Sequence, residues 1–226
     1  MKIFSIKSVP VTHWSSDKPL NLSPRPITVF LLCTGLTLFG LGESLIIAAS
    51  VGMSPWVVLS EGLSINTGLS IGMITFLTSA VILLLWIPLK QSIGIGTVLN
   101  AIIIASVLDW SLPYLPYPET YLAKVLQTIF GTLVVGFGSA LYLIANLGPG
   151  PRDGLMTGIQ ELTSQPIALI RVILEVTVIG LGWSLGGTIG IGTIIFAFGV
   201  GPSLSVGLYF ISTISTSSIS VSYTHL

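Results

Sequence analysis

Residues 35–110 align with residues 131–206 at a constant offset of 96, without a gap, and 21 of the 76 pairs are identical. Many of the shared sites constrain backbone shape. Gly40 and Gly42 match Gly136 and Gly138, Gly52 and Pro55 match Gly148 and Pro151, and Gly94–Thr97 repeats as Gly190–Thr193. Each copy holds three apolar spans. An odd number of crossings makes the second copy enter a bilayer from the opposite side, an inverted-repeat architecture common among secondary transporters.

Charged residues are only 7% of the chain, against roughly 25% in a soluble domain. Sixteen charged side chains cannot supply the surface of a soluble fold of this size. The expected fold is therefore all-α and polytopic, built from two inverted three-helix units and short interfacial or re-entrant helices. Zero formal net charge leaves no basic face for nucleic acid. The single cysteine, Cys33, lies in an apolar span and reads as a small buried hydrophobe.

The expected organisation is a basic tail over 1–26, a first unit over 27–110, an outer loop over 111–119, a second unit over 120–210 and a tail over 211–226. The spans read as 27–50, 69–88, 94–110, 120–147, 166–185 and 190–210, near the roughly 20 residues a crossing needs. The last tail is short and polar for a seventh crossing. The first tail carries Lys2, Lys7, Lys18 and Arg25 against Asp17, with Trp14 placed for a membrane interface. With the N-terminus inside, Lys90, Arg152 and Arg171 also fall on or near the inner side, and only Lys124 lies near the outer one. The positive-inside rule thus expects a multi-pass cell-membrane protein with both termini cytoplasmic. Membrane lipids and a second copy of the chain are its expected partners.

Between the first two spans of each unit lies a segment with a glycine suited to ending a helix and a proline suited to starting another: Gly52 and Pro55, then Gly148 and Pro151. Ser54 is placed to cap the first new helix. Each helix should run for about 10 residues and end near Gly62 or Gly158, too short to span at 1.5 Å per residue. Two readings stand. The helices lie along the interface, with Trp56 as an anchor, or they re-enter and turn positive N-terminal ends toward a central site. Asp153 could satisfy those amides itself or pair with Arg152. The Gly-Ile-Gly-Thr segments read as packing and capping elements.

Intramembrane charges are functional candidates by default. Glu43 lies within the first span, as a carrier of a proton, a partner for a cation, or a neutral acid bonding across helices. Arg171 and Glu175 share a face of the fifth span, as a buried structural pair or part of a solute site. With Ser54 and Asp153 they form the candidate solute or coupling-ion site. Asp109 and Glu61 read as interfacial charges. His13 and His225 lie in the tails, and no metal or nucleophile–base spacing occurs, so neither enzyme, cofactor nor metal site is expected.

The segments GMSPWVVLSEGLSINTGLSIG (52–72), IPLKQSIGIGTVLNA (87–101), LGPGPRDGLMTG (147–158) and RVILEVTVIGLGWSLGGTIGIGT (171–193) resemble the YczE/YyaS/YitT family of bacterial integral membrane proteins. The resemblance implies a multi-span plasma-membrane protein of uncharacterised biochemical function. That family usually carries an aspartate after Ser-Pro-Trp. Here the position is Val57, and only Asp153 keeps the acid in the second unit. Two functions fit the sequence: a secondary transporter of a small solute or ion, or a non-transporting membrane scaffold or regulatory partner.

The orientation is tested by single cysteines placed at Lys90 and Tyr117 in a Cys33→Ser background. A membrane-impermeant thiol reagent applied to intact cells should label position 117 and leave position 90 unmodified. Labelling of position 90 from outside overturns the assignment.

Overall fold

A computed structural model describes residues 9–214 and the backbone of 219–220. Among the described residues eight α-helices follow one another: α1 (Pro26–Ala49), α2 (Pro55–Thr67), α3 (Ile71–Trp86), α4 (Ile95–Ser111), α5 (Tyr121–Ala145), α6 (Pro151–Thr163), α7 (Ile167–Ser184) and α8 (Ile191–Ile214). A 3-10 turn, Leu112–Tyr114, extends α4. Two-residue strands β1 (Pro10–Val11) and β2 (Ile219–Ser220) pair antiparallel. Among the described residues, five helical stretches are long and apolar enough to cross a membrane, and the α2–α3 pair, bent by 113°, makes a sixth if taken as one broken span.

The 96-residue offset reappears in the elements. Helix α2 maps onto α6 residue for residue, and α4 and α8 begin at matching positions. The helix before each short element ends on a left-handed residue, Ser50 and its mate Asn146, followed by left-handed Gly52 and Gly148.

Helices α1 and α5 approach at four glycines. A Cβ on Gly35 would stand 2.8 Å from the carbonyl oxygen of Gly138, and one on Gly42 would stand 2.7 Å from that of Gly131. Because 35 faces 138 while 42 faces 131, the two helices run antiparallel. These glycines are repeat mates in crossed order, 35 with 131 and 42 with 138. Backbones lacking side chains can come this close, which increases dispersion contact where lipid offers no hydrophobic drive.

The two units also exchange hydrogen bonds. Gly96 N donates to Leu147 O at 2.7 Å, and its mate Gly192 N donates to Val51 O at 2.8 Å. Thr97 accepts from Gly94 N and donates to Pro149 O at 2.7 Å, and Thr193 accepts from Gly190 N. The Gly-Ile-Gly-Thr segments therefore start their helices and fasten each unit to the other's loop. A volume exchange accompanies this. The ring of Trp86 fills the space beside Gly154, whereas its mate Gly182 makes room for the backbone of Val58 and Leu59.

Two expectations need correction. The short helices continue to Thr67 and Thr163 rather than stopping near Gly62 and Gly158. Gly62 is an interior packing position against Gly182 of α7 and Leu185, which follows it, and the left-handed caps fall at Gly68 and Ser164. Trp14 is 4% exposed rather than interfacial. The described part of the first tail folds onto the end of α5: Ser16 N donates to Ala145 O at 3.1 Å, and Asn146 Nδ2 donates to Ser16 O at 2.8 Å. Orphan carbonyl groups at that helix end supply the reason. The tail over 211–226 lies largely outside the described residues, apart from the end of α8 and the backbone of β2.

The crossing is tested by Gly42→Leu, whose side chain meets Gly131 O and Val135. It should lower stability by about 1–3 kcal/mol, the usual range for overpacking, in thermal melts of detergent-purified protein. Gly180→Ala, at a position with nothing within 4 Å, should leave the melt unchanged or raise it.

Candidate functional site

The N-termini of α2 and α6 meet at the middle of the two-unit arrangement. Each starts with a proline, Pro55 or Pro151, after an extended residue, Ser54 or Gly150. Proline suits the first turn because that turn's amides have no intrahelical partner. The next residues, Trp56 and Arg152, are repeat mates and touch each other: the Arg152 guanidinium carbon stands 5.2 Å from the centroid of the Trp56 ring. This is a contact between equivalent positions of the two copies. A guanidinium over an indole face is attracted by the ring quadrupole.

Glu43 comes to this place from α1. It is 1% exposed, and neither carboxylate oxygen has a hydrogen-bond partner. Ser54 lies beside it and is 2% exposed. Its hydroxyl also lacks a partner and makes no capping bond to α2, contrary to the expectation for Ser54. Arg152 acts on Glu43 through its charge, without an ion pair: the ion pair among the described residues is between Arg171 and Glu175. Burying polar groups without partners costs several kcal/mol, so such groups are rare in folded proteins.

Asp153, in the first turn of α6, is differently placed. Tyr142 from α5 donates its hydroxyl to Asp153 Oδ2 at 2.7 Å. Arg152 also acts on Asp153 and on Tyr142 electrostatically. Asn100 of α4 lies near the same turn, since a Cβ on Gly150 would meet Asn100 Nδ2 at 3.1 Å and Asp153 Oδ2 at 3.2 Å. The start of α6 is held in place by Trp86, whose Nε1 donates to Pro151 O at 3.0 Å.

Glu43, Ser54 and Asp153 are therefore brought together around Arg152. Arg171 and Glu175 form their expected pair, with Arg171 Nε at 2.8 Å from Glu175 Oε1. Their side chains are 53% and 23% exposed, so the expectation of a fully buried pair is corrected. Helix α7 packs on α2 and α6 but not closely on α8, which leaves the Arg171 face uncovered by protein. Arg171 still acts on Tyr142 through its charge and stands at the edge of the cluster. The other acids have separate duties. Asp109 accepts from Ser70 Oγ at 2.6 Å and Gly72 N at 2.9 Å, capping α3. Glu61 accepts from Thr188 N and from Thr188 Oγ1 at 3.2 Å.

Sequence reasoning gave Trp56 the role of an anchor and left Tyr142 out. The matched positions of Trp56 and Arg152 were a usable signal for their contact. Tyr142 offered none, because its mate is Ile46 and its role depends on reach across the fold. Chemically the cluster holds one cation with free donors, one free hydroxyl, one engaged acid and one unengaged acid.

A family of unknown function, DUF6198, matches residues 26–208. An uncharacterized protein of Haemophilus influenzae is 38% identical over 210 residues, 93% of this chain and 94% of the relative. The uncharacterized membrane protein YczE of Bacillus subtilis is 32% identical over 176 residues, 77% of this chain and 82% of the relative. The uncharacterized protein YyaS of Bacillus subtilis is 30% identical over 166 residues, 71% of this chain and 82% of the relative. No solved structure matches the chain.

The coupling between Tyr142 and Asp153 is measured by a double-mutant cycle. Tyr142→Phe and Asp153→Asn should each destabilise the protein. Their combination should cost less than the sum by about 1.5–3 kcal/mol, the range for a hydrogen bond to a charged group. Additive denaturant midpoints would show that the bond contributes nothing.

Proposed function

The chain belongs to the DUF6198 family, and on that premise we propose that it is a secondary transporter of a small solute or ion, with Glu43 as its coupling group. On this reading it is a carrier and not an enzyme. The two units insert in opposite orientations, both termini face the cytoplasm, and the converging ends of α2 and α6 form the transport site near the membrane midplane. The crossed glycine contacts and the exchanged hydrogen bonds support an inverted arrangement. Related units that each fasten the other's loop can trade conformations, which is what alternating access between two faces requires.

The observation that carries the reading is the unpartnered Glu43 carboxylate beside the unpartnered Ser54 hydroxyl. An acid kept only for packing would be bonded across helices, because an unmet buried acceptor is costly. An acid that must gain and lose a proton or an ion in each cycle has to be released from such bonds. The Ser54 hydroxyl and the Arg152 guanidinium lie close enough to act on the carboxylate without locking it in an ion pair. A non-transporting scaffold leaves this arrangement unexplained.

The test is uptake into proteoliposomes under an imposed pH or sodium gradient, screened over small metabolites and ions. Glu43→Gln keeps the shape and removes the titratable charge. It should fold, with a melt close to that of the wild type, and lose gradient-driven uptake by more than about tenfold. Undiminished gradient-driven uptake by the folded variant would remove Glu43 from the mechanism.

A further inference from the structure

Resting on that transport reading, we infer that the converging ends of α2 and α6 form a binding site for a small monovalent anion, which the Glu43 carboxylate occupies and vacates on protonation.

The donors come first. A guanidinium carries five N–H groups. The Arg152 guanidinium is held over the Trp56 ring, with no side-chain hydrogen bond or ion pair to another described residue. Arg152 is half-buried, and the Ser54 hydroxyl is buried and lacks a partner. Helices α2 and α6 each run 13 residues, long enough to direct a positive N-terminal field at this place. Three kinds of positive or donating group therefore face one spot. Among the acids of the cluster, Asp153 is engaged by Tyr142. Glu43 alone is unengaged, so its carboxylate is a tethered anion in an anion site.

The same arrangement disfavours a metal cation. A cation against Glu43 would also stand against the Arg152 charge and the two helix ends. Charge balance sets the valence. When Glu43 takes a proton from solution its negative charge disappears, and one monovalent anion restores the local sum. Proton and anion then move together, and the cycle is electroneutral. Met53 through Val58 and Gly154 through Gly158 are buried without a break, while Arg152 and Asp153 are half-buried, so close packing around the donors favours a small anion.

The groups that set the pH response are few. Arg152 acts on Glu43, and Glu43, Asp153 and Tyr142 act on Arg152. Of the elements around α1, α5 supplies Tyr142. On α4, Asp109 is committed to Ser70 and Gly72, and on α2, Glu61 is committed to Thr188.

The test uses the purified full chain in detergent. Melting temperatures are titrated with sodium fluoride, chloride, nitrate and formate against sodium gluconate at constant ionic strength, on the acid and alkaline sides of neutrality. At least one of the four should stabilise the protein, about tenfold more tightly on the acid side. Ser54→Ala should weaken that binding about tenfold. Glu43→Gln should bind with the acid-side affinity at both pH values, a gain that misfolding cannot produce. No stabilisation by any of the four anions at either pH overturns the inference, as does a Glu43→Gln variant that keeps the wild-type pH dependence. The same salts inside and outside proteoliposomes separate the two proposals. Binding with the expected pattern but no anion flux keeps the site and removes transport. Gradient-driven uptake indifferent to all four anions keeps transport and removes this site.

Discussion

The antiparallel approach of α1 and α5 is the contact on which the rest of the molecule depends. At Gly35, Gly42, Gly131 and Gly138 each helix presents bare backbone to the other, with carbonyl groups where side chains would otherwise stand. Lipid tails are as apolar as the helix surfaces, so only close packing and hydrogen bonding can favour helix association over solvation by lipid. Four glycines allow that packing along nearly two turns. The crossing brings the ends of the two units together, so that Gly96 can reach Leu147 and Gly192 can reach Val51.

Once the units are joined, their differences become chemistry. The exchanged caps obey the repeat, but the residues at the centre do not. Glu43 has Ser139 as its mate, Trp56 has Arg152, and Val57 has Asp153. A repeat with the same charged residue at both of these positions would put like charges face to face. This chain puts an indole opposite a guanidinium there, and an acid on each side in unequal surroundings. The asymmetry extends outward. Asp109 ties α4 to the start of α3, while its mate Ser205 has no carboxylate with which to tie α8 to α7. Helix α7 accordingly packs on α2 and α6, leaving the Arg171–Glu175 pair on an open face.

The polar centre has a cost that the packing must offset. Trp86 supplies part of the support: it is wholly buried, fills the space at Gly154 and donates to Pro151. Tyr142 holds Asp153 in the same turn. The start of α6 is therefore fixed from two sides, whereas Glu43 on α1 and Ser54 at the start of α2 have no hydrogen-bonded restraint. In the proposed mechanism that contrast separates a rigid half of the site from the half that exchanges a proton and an anion.

Much of the architecture was legible in the chain because glycine and proline act locally. A proline after a left-handed glycine starts a new helix whatever surrounds it, so α2 and α6 were readable, as were the Gly-Ile-Gly-Thr starts of α4 and α8. Their far ends were misjudged, since Gly62 and Gly158 are packing positions whose partners lie far along the chain, on and just after α7 for Gly62 and in the turn after α3 for Gly158. Glu43, Ser54 and Asp153 could be named from depth and position alone. Their gathering around Arg152, the engagement of Asp153 by Tyr142, the burial of Trp14 and the exposure of Arg171 could not. Sequence by itself determined the repeat, the apolar spans and the breaks between them, because those follow from covalent geometry and transfer from water. Only the tertiary structure decided which polar groups found partners, because hydrogen bonds and screened charges depend on distances of a few ångströms between residues far apart in the chain.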